Sequence, residues 1–215
     1  MSQDTKAADL VFYTNPQSRG NIVHWMLEEI GRPYTLEVLD FTTTMKAPEY
    51  LAVNPMGKVP AIRHGGTVVT EAAAICAYLA DAFPEAGLAP EPKHRGDYYR
   101  WLFFTAACLE PAASNHASGW NPSPDQEMSF GYGSYARVLD TLSAWLERRT
   151  YVAGDRFTAA DVFLASHLQW GMMTGLIEKR PVFQAYSERH ANRPAAKRAD
   201  EQAEKLTAQQ AWKAA

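Results

Sequence analysis

Hydrophobic and polar positions change period repeatedly ahead of Phe83. Asp9–Thr14 (DLVFYT) is a short β-rich run that Asn15-Pro16 breaks. Ile22, Val23, Met26, Leu27 and Ile30 then follow helical spacing, with Gly31 placed to cap the helix C-terminus. Tyr34–Leu39 reads as a second strand, and Pro48–Val53 as a short helix or turn opened by proline. Val59–Arg63 and Thr67–Thr70 flank Gly65-Gly66, the pattern of a hairpin whose turn needs positive φ. Glu71–Phe83 is an Ala-rich helix. The order β-α-β-α-β-β-α predicts a mixed sheet covered by helices, an α/β domain over 8–84.

Beyond Phe83 the pattern changes. Pro84–Gly96 carries prolines and glycines, and 85–96 reads as an inter-domain linker. Tyr98–Ala113, Tyr132–Arg149, Thr158–Leu176 and Val182–Asn192 keep helical periodicity, so 97–207 is expected to be an all-α domain. Asn115–Gly133, rich in Asn, Ser, Pro and Gly, reads as a loop, and the tail from Pro194 as a last helix or a frayed end.

Composition narrows the classes. The 215 residues are 47% hydrophobic and 21% charged, with a net charge of −3, which excludes disorder and argues against a nucleic-acid partner. The apolar runs Ala72–Ala80 and Trp101–Leu109 are far shorter than the roughly 20 residues that span a bilayer, so no membrane partner is expected. The start, Met-Ser-Gln-Asp-Thr-Lys, has no secretory h-region, and Cys76 and Cys108 are isolated thiols; together they point to a cytoplasmic setting.

Three motifs carry candidate chemistry. In Asn54-Pro55-Met56-Gly57-Lys58-Val59-Pro60, a proline entering a strand must sit at an edge or in a special turn. A cis Val59–Pro60 bond would turn the Val59 N–H and C=O outward toward an extended peptide-like ligand; the alternative is a plain edge proline. Thr70-Glu71 opens the Ala-rich helix, where orphan N–H groups and the dipole favour an anion while Glu71 could accept from an ammonium; a first-turn Glu also needs no ligand. Phe157-Thr158-Ala159-Ala160-Asp161-Val162 reads as a capping box with a hydrophobic staple, Thr158 and Asp161 being structural, and predicts a large loss of folding without Asp161. No metal-ligand spacing and no CxxC is present.

Taken in this order and spacing, these motifs resemble the glutathione S-transferase family over about Asp9–Arg198. Asn15-Pro16-Gln17-Ser18-Arg19-Gly20 and Met45-Lys46-Ala47-Pro48-Glu49-Tyr50 are similar to bacterial and fungal theta/phi-like members. The resemblance implies a thioredoxin-like N-terminal domain and an all-helical C-terminal domain. It implies that Val59 bonds the cysteinyl part of glutathione across a cis Pro60, that Glu71 and the backbone of Ala72 hold the γ-glutamyl end, and that Lys46 and Lys58 lie near the glycine carboxylate. Ser18 matches the activating serine of theta/phi-like enzymes and Tyr13 the tyrosine of other classes, and Asn15 is a third donor; a capping serine and a packed strand tyrosine are the structural alternatives. Ala72 stands where the family often has Ser, and Met45 where phi-like members often have His.

Tyr99, Phe103 and Trp120 are candidates for an apolar electrophile pocket. The implied activity is thiolate attack by glutathione, a co-substrate, on a small apolar electrophile in detoxification, by a homodimer with no cofactor. A glutathione-dependent disulfide reductase or peroxidase and a non-catalytic ligand-binding protein are the rivals.

Overall fold

The structure, a computed structural model, describes residues 9–214, with side chains through 209. Ala8, where the first domain was expected to begin, and the N-terminal hexapeptide lie outside the described residues. The chain divides into two compact units, one of residues up to Ala82 together with those from Pro194 onward, the other Phe83–Arg193.

The first unit follows the expected order: β1 (Leu10–Thr14), α1 (Gly20–Ile30), β2 (Thr35–Val38), α2 (Pro48–Leu51), β3 (Ala61–His64), β4 (Thr67–Thr70) and α3 (Ala72–Ala82). The sheet runs β2-β1-β3-β4. β1 pairs with β2 in parallel and with β3 antiparallel, and β3 closes an antiparallel hairpin with β4. Alternation along β1 buries Leu10, Phe12 and Thr14 and leaves Val11 and Tyr13 half-buried on the other face. α1 buries Ile22, Val23, Trp25, Met26 and Leu27, and ends at Gly31, whose φ of 68° is the left-handed cap that only glycine adopts without cost. α3 contributes Ile75, Cys76, Leu79 and Ala80. This is a thioredoxin-like α/β arrangement.

The expected 97–207 domain loses its end to the first unit. The tail from Pro194 forms one helix, α9 (Pro194–Ala214), which packs on α1. Ala195, Ala199 and Ala203, four residues apart, form a buried small-residue stripe that lets the two backbones approach. The contact is fastened by Arg198 Nε to Glu28 Oε2 at 2.8 Å and His24 Nε2 to Gln202 Oε1 at 2.7 Å. Periodicity reports that a helix has an apolar face, and says nothing of which partner covers it.

The second unit is all-helical: α4 (Gly96–Phe104), α5 (Glu110–Ala117), α6 (Tyr135–Leu146), α7 (Ala159–Thr174) and α8 (Pro181–Ala191). A π-helical stretch, Thr105–Leu109, joins α4 to α5. The segment 85–96 is no free linker: it belongs to this unit, holds the 3₁₀ turns Pro84–Ala86 and Pro92–His94, buries Leu88, and accepts the Ala159 N–H on the Leu88 carbonyl at 2.9 Å. α7 is buried on nearly every side, as suits the central helix of a bundle. Its start is the expected capping box: Asp161 Oδ2 accepts the Thr158 N–H at 2.9 Å and the Thr158 hydroxyl at 3.1 Å. Asp161 does more than cap, since Oδ1 accepts the Val152 N–H at 2.7 Å and the Tyr186 hydroxyl at 2.6 Å. Among the described residues no helix is long and apolar enough to cross a membrane.

Candidate functional site

The sheet topology gathers the candidate residues at one end of the first unit. Tyr13 on β1 pairs with Ala61 on β3, and Ala61 pairs with Thr70 on β4. One residue beyond, three chain segments meet at that end: the turn Asn15–Arg19 leading from β1 into α1, Val59-Pro60 entering β3, and Glu71 leaving β4 for α3. Ligands of open α/β sheets bind outside the carboxyl ends of the parallel strands, which is this edge.

The Asn15–Arg19 turn is held from inside. Asn15 is buried; its Nδ2 donates to the Leu39 carbonyl at 2.7 Å and its Oδ1 accepts the Gln17 N–H at 2.9 Å. Both ends of the amide therefore brace the turn, with one of the two Nδ2 protons used. Ser18 Oγ donates to the Asn15 carbonyl at 2.6 Å and accepts the Gly20 N–H at 3.0 Å. It is half-buried at the mouth of α1, where the helix dipole favours negative charge. Gly20 has no room for a side chain, because a Cβ there would overlap Thr14 Oγ1 and lie 3.0 Å from Ser18 Oγ. Tyr13 instead packs its ring against Tyr50, 5.5 Å between centroids, beside a cluster of Met45, Tyr50 and Ala61.

The Val59–Pro60 bond is cis. The Val59 N–H donates to, and its C=O accepts from, no described residue. The preceding loop is tied tightly. Lys46 Nζ donates to the Gly57 carbonyl at 2.7 Å, the Gly57 N–H to the Asn54 carbonyl at 2.8 Å, and the Met56 N–H to Asn54 Oδ1 at 3.1 Å. Two side chains, Tyr50 Oη at 2.6 Å and Asn54 Nδ2 at 2.8 Å, donate to the carbonyl of Lys58. These two were not singled out from the sequence, although Asn54 opens the Asn-Pro turn and a buried Asn so placed has its own amide to satisfy. Burial pushes the Tyr50 hydroxyl up to about 12, so it stays a donor across the ordinary pH range. Upstream, Asp40 accepts from the hydroxyls and N–H groups of Thr42 and Thr43, led by the Thr42 hydroxyl, which hold its carboxyl down to about 2 and shape the loop toward Lys46.

Glu71, exposed, is the one non-glycine residue with positive φ among the described residues, at 65°. Such a conformation costs about 1–3 kcal/mol and persists where surrounding structure over-determines it, commonly at ligand sites. Ala72 is the first residue of α3 and half-buried, and Met45 is buried in the cluster with Tyr50 and Ala61, so its side chain serves the core.

In the second unit, Tyr99 and Phe103 sit four apart on α4 and both are exposed, Phe103 by 66%. Their neighbours Tyr98, Trp101 and Leu102 fill the core. Trp120 follows α5 and packs edge-on against Phe130, 5.1 Å between centroids. Cys76 is fully buried, which pushes its thiol up to about 12 and leaves it inert.

Comparisons agree with this architecture. The glutathione S-transferase N-terminal domain matches residues 20–82, and the C-terminal domain of that family matches 132–194. Glutathione S-transferase GST-4.5 of Xanthomonas campestris is 32% identical over 171 residues, 76% of this chain and 83% of that protein. A crystal structure of a glutathione transferase from Methylococcus capsulatus aligns with a TM-score of 0.74 at 32% identity, over 90% of this chain and 98% of that one. A glutathione transferase homolog from Sulfitobacter, solved with bound glutathione, aligns at 0.70 with 26% identity, over 90% and 97% of the two chains. The chain belongs to the glutathione S-transferase family.

Proposed function

We propose that the protein is a glutathione transferase that binds glutathione at the sheet end of its first unit and stabilises the thiolate for attack on a small apolar electrophile. The observation that carries this reading is Val59, whose N–H and C=O, unpaired among the described residues, offer an antiparallel pairing to the cysteinyl residue of an extended tripeptide. The pairing of Tyr13 with Ala61 supports the reading, since Val59 and the Asn15–Arg19 turn both lie just past that pair; on this reading the cysteinyl side chain extends toward Ser18.

Glu71 accepts the γ-glutamyl ammonium, and the first N–H groups of α3 at Ala72 hold its carboxylate. Lys46 and Lys58 face the glycine carboxylate; Lys46 keeps further protons for it beyond the one given to Gly57. A cysteine thiol has a pKa near 8.5 and is mostly protonated at neutral pH. Ser18 donates to the sulfur by turning its hydroxyl from the Asn15 carbonyl, and the Gly20 N–H on its oxygen strengthens that donation. The dipole of α1 acts in the same sense. Catalysis is then proximity plus charge stabilisation at the sheet end of the first unit. A homodimer working in the cytoplasm, in detoxification, completes the reading.

One observation favours a second reading. Ser18 already has both an acceptor and a donor within the chain, as a purely turn-forming serine would. A non-catalytic glutathione-binding protein would look the same. Titration with glutathione while recording the ultraviolet difference band of the thiolate separates the two. A band that develops near neutral pH supports the transferase; tight binding without a band supports the carrier.

A further inference from the structure

The Lys58 carbonyl receives two buried hydrogen bonds, from Tyr50 Oη at 2.6 Å and Asn54 Nδ2 at 2.8 Å, while the N–H of the same peptide group, that of Val59, takes no partner among the described residues. The only cis bond among the described residues is the following one, so the Lys58–Val59 peptide is trans, and its C=O and N–H point in opposite directions in one rigid plane. Fixing one end therefore aims the other.

We infer that Tyr50 and Asn54 are positioning residues for glutathione: they clamp the Lys58–Val59 peptide plane so that the Val59 N–H is presented, already oriented, to the cysteinyl carbonyl. The inference rests on the proposed binding of glutathione through Val59. Two donors on one carbonyl also polarise the amide and make its N–H a stronger donor, because hydrogen bonds in a chain reinforce one another. Neither clamp is a loose surface group. Tyr50 and Asn54 are both buried, and Tyr50 is pinned by the Tyr13 ring. Asn54 is pinned at its oxygen by the Met56 N–H. A plane held from two directions keeps its orientation before ligand arrives, so less ordering is left to binding. The Tyr13–Tyr50 contact also gives Tyr13 a place in the device that needs no thiol chemistry.

The test uses the full chain and its Tyr50→Phe and Asn54→Ala variants, with glutathione and an analogue whose Cys–Gly amide is reduced to CH₂–NH, so that it has no cysteinyl carbonyl. Tyr50→Phe removes only the buried oxygen and keeps the ring packing, which guards against a variant that simply unfolds. Each variant is expected to bind glutathione roughly three- to ten-fold more weakly than wild type, one hydrogen bond's worth. For the reduced analogue the difference between wild type and variant should disappear. A merely structural role would weaken both ligands alike, and that result, or unchanged affinity for glutathione in Tyr50→Phe, overturns the inference. Wild type that fails to bind glutathione overturns the proposed function itself and the inference with it, and is read before any variant is compared.

Discussion

The Ser18 hydroxyl donates to the Asn15 carbonyl at 2.6 Å, so the group proposed to stabilise the thiolate also closes the turn that starts α1. The two roles separate by measurement. Ser18→Ala is expected to lower stability by about 1 kcal/mol through loss of its two turn hydrogen bonds. It should also raise the pKa of bound glutathione by about one unit or more, toward the ordinary thiol value near 8.5. Denaturant titration reads the first and the pH midpoint of the thiolate band the second. An unchanged midpoint would reduce Ser18 to a turn-forming residue and pass the chemistry to Tyr13 or Asn15.

Gly20 tests the same turn sterically. A Cβ at position 20 overlaps the Oγ1 of Thr14, a buried side chain. Gly20→Ala should cost about 1–3 kcal/mol, as overpacking does. Adding Thr14→Ala, which removes the obstructing oxygen, should recover much of that loss; if the double variant is no more stable than Gly20→Ala, the obstruction lies elsewhere.

Glu71 separates strain from binding. Its φ of 65° is one that glycine adopts without strain and alanine does not. Glu71→Gly should keep or raise the melting temperature, whereas Glu71→Ala, still strained, should not gain. Both should lose about ten-fold or more in glutathione affinity if the carboxylate holds the γ-glutamyl ammonium, an interaction to a charged group worth about 1.5–3 kcal/mol. Calorimetry on the two variants checks both parts. Retained affinity in both would assign Glu71 to backbone geometry alone.

The architecture was legible where one residue's pattern decides one element. Alternation across Leu10–Thr14, the Gly65-Gly66 turn and the Gly31 stop each reappear as a strand, a hairpin and a helix end. Val59, Pro60 and Glu71 were legible as candidates because a proline at a strand entrance and an acid at a helix start are unusual chemistry in themselves. What stayed hidden depends on pairing across distance. Asn15 donates to Leu39, 24 positions on; Tyr50 and Asn54 donate to the Lys58 carbonyl; and α9 covers α1, since an alanine stripe fits many partners. The π-helical stretch at Thr105–Leu109 likewise left no signature in hydrophobic period.

Asp161 gathers four donors from three places in the second unit: Val152, Thr158 twice, and Tyr186. Removing it leaves buried N–H and O–H groups unpaired, each worth about 1–3 kcal/mol, so Asp161→Ala is expected to cost about 3–5 kcal/mol in all. Asp161→Asn keeps the shape and part of the acceptor capacity and should fall between the two. Equilibrium unfolding, or the soluble yield where the variant no longer folds, gives the order. An Ala variant within about 1 kcal/mol of wild type would mean the buried donors find other partners.

His24 makes the packing of α9 on α1 sensitive to acid. Its ring is buried, Nε2 facing Gln202 Oε1 at 2.7 Å, with the Phe12 and Tyr34 rings against it. Burial lowers its pKa from the ordinary 6.5, outweighing the opposite pull of the Gln202 hydrogen bond and of the carboxylates Glu28 and Asp200. The folded chain therefore holds the histidine proton less tightly than the unfolded chain. The stability that neutral His24 contributes is present above pH 6.5 and is lost as the pH falls below that value toward the depressed folded pKa. Asp200 works the other way, since burial raises its pKa and the folded chain gains from its protonation. The comparison must therefore be between wild type and a variant. His24→Gln, neutral at every pH, should lose less stability than wild type between about pH 7 and about pH 5 in urea unfolding. Equal losses in the two proteins would show that the acid sensitivity of the first unit comes from its carboxylates, and that the depressed histidine makes no measurable contribution to it.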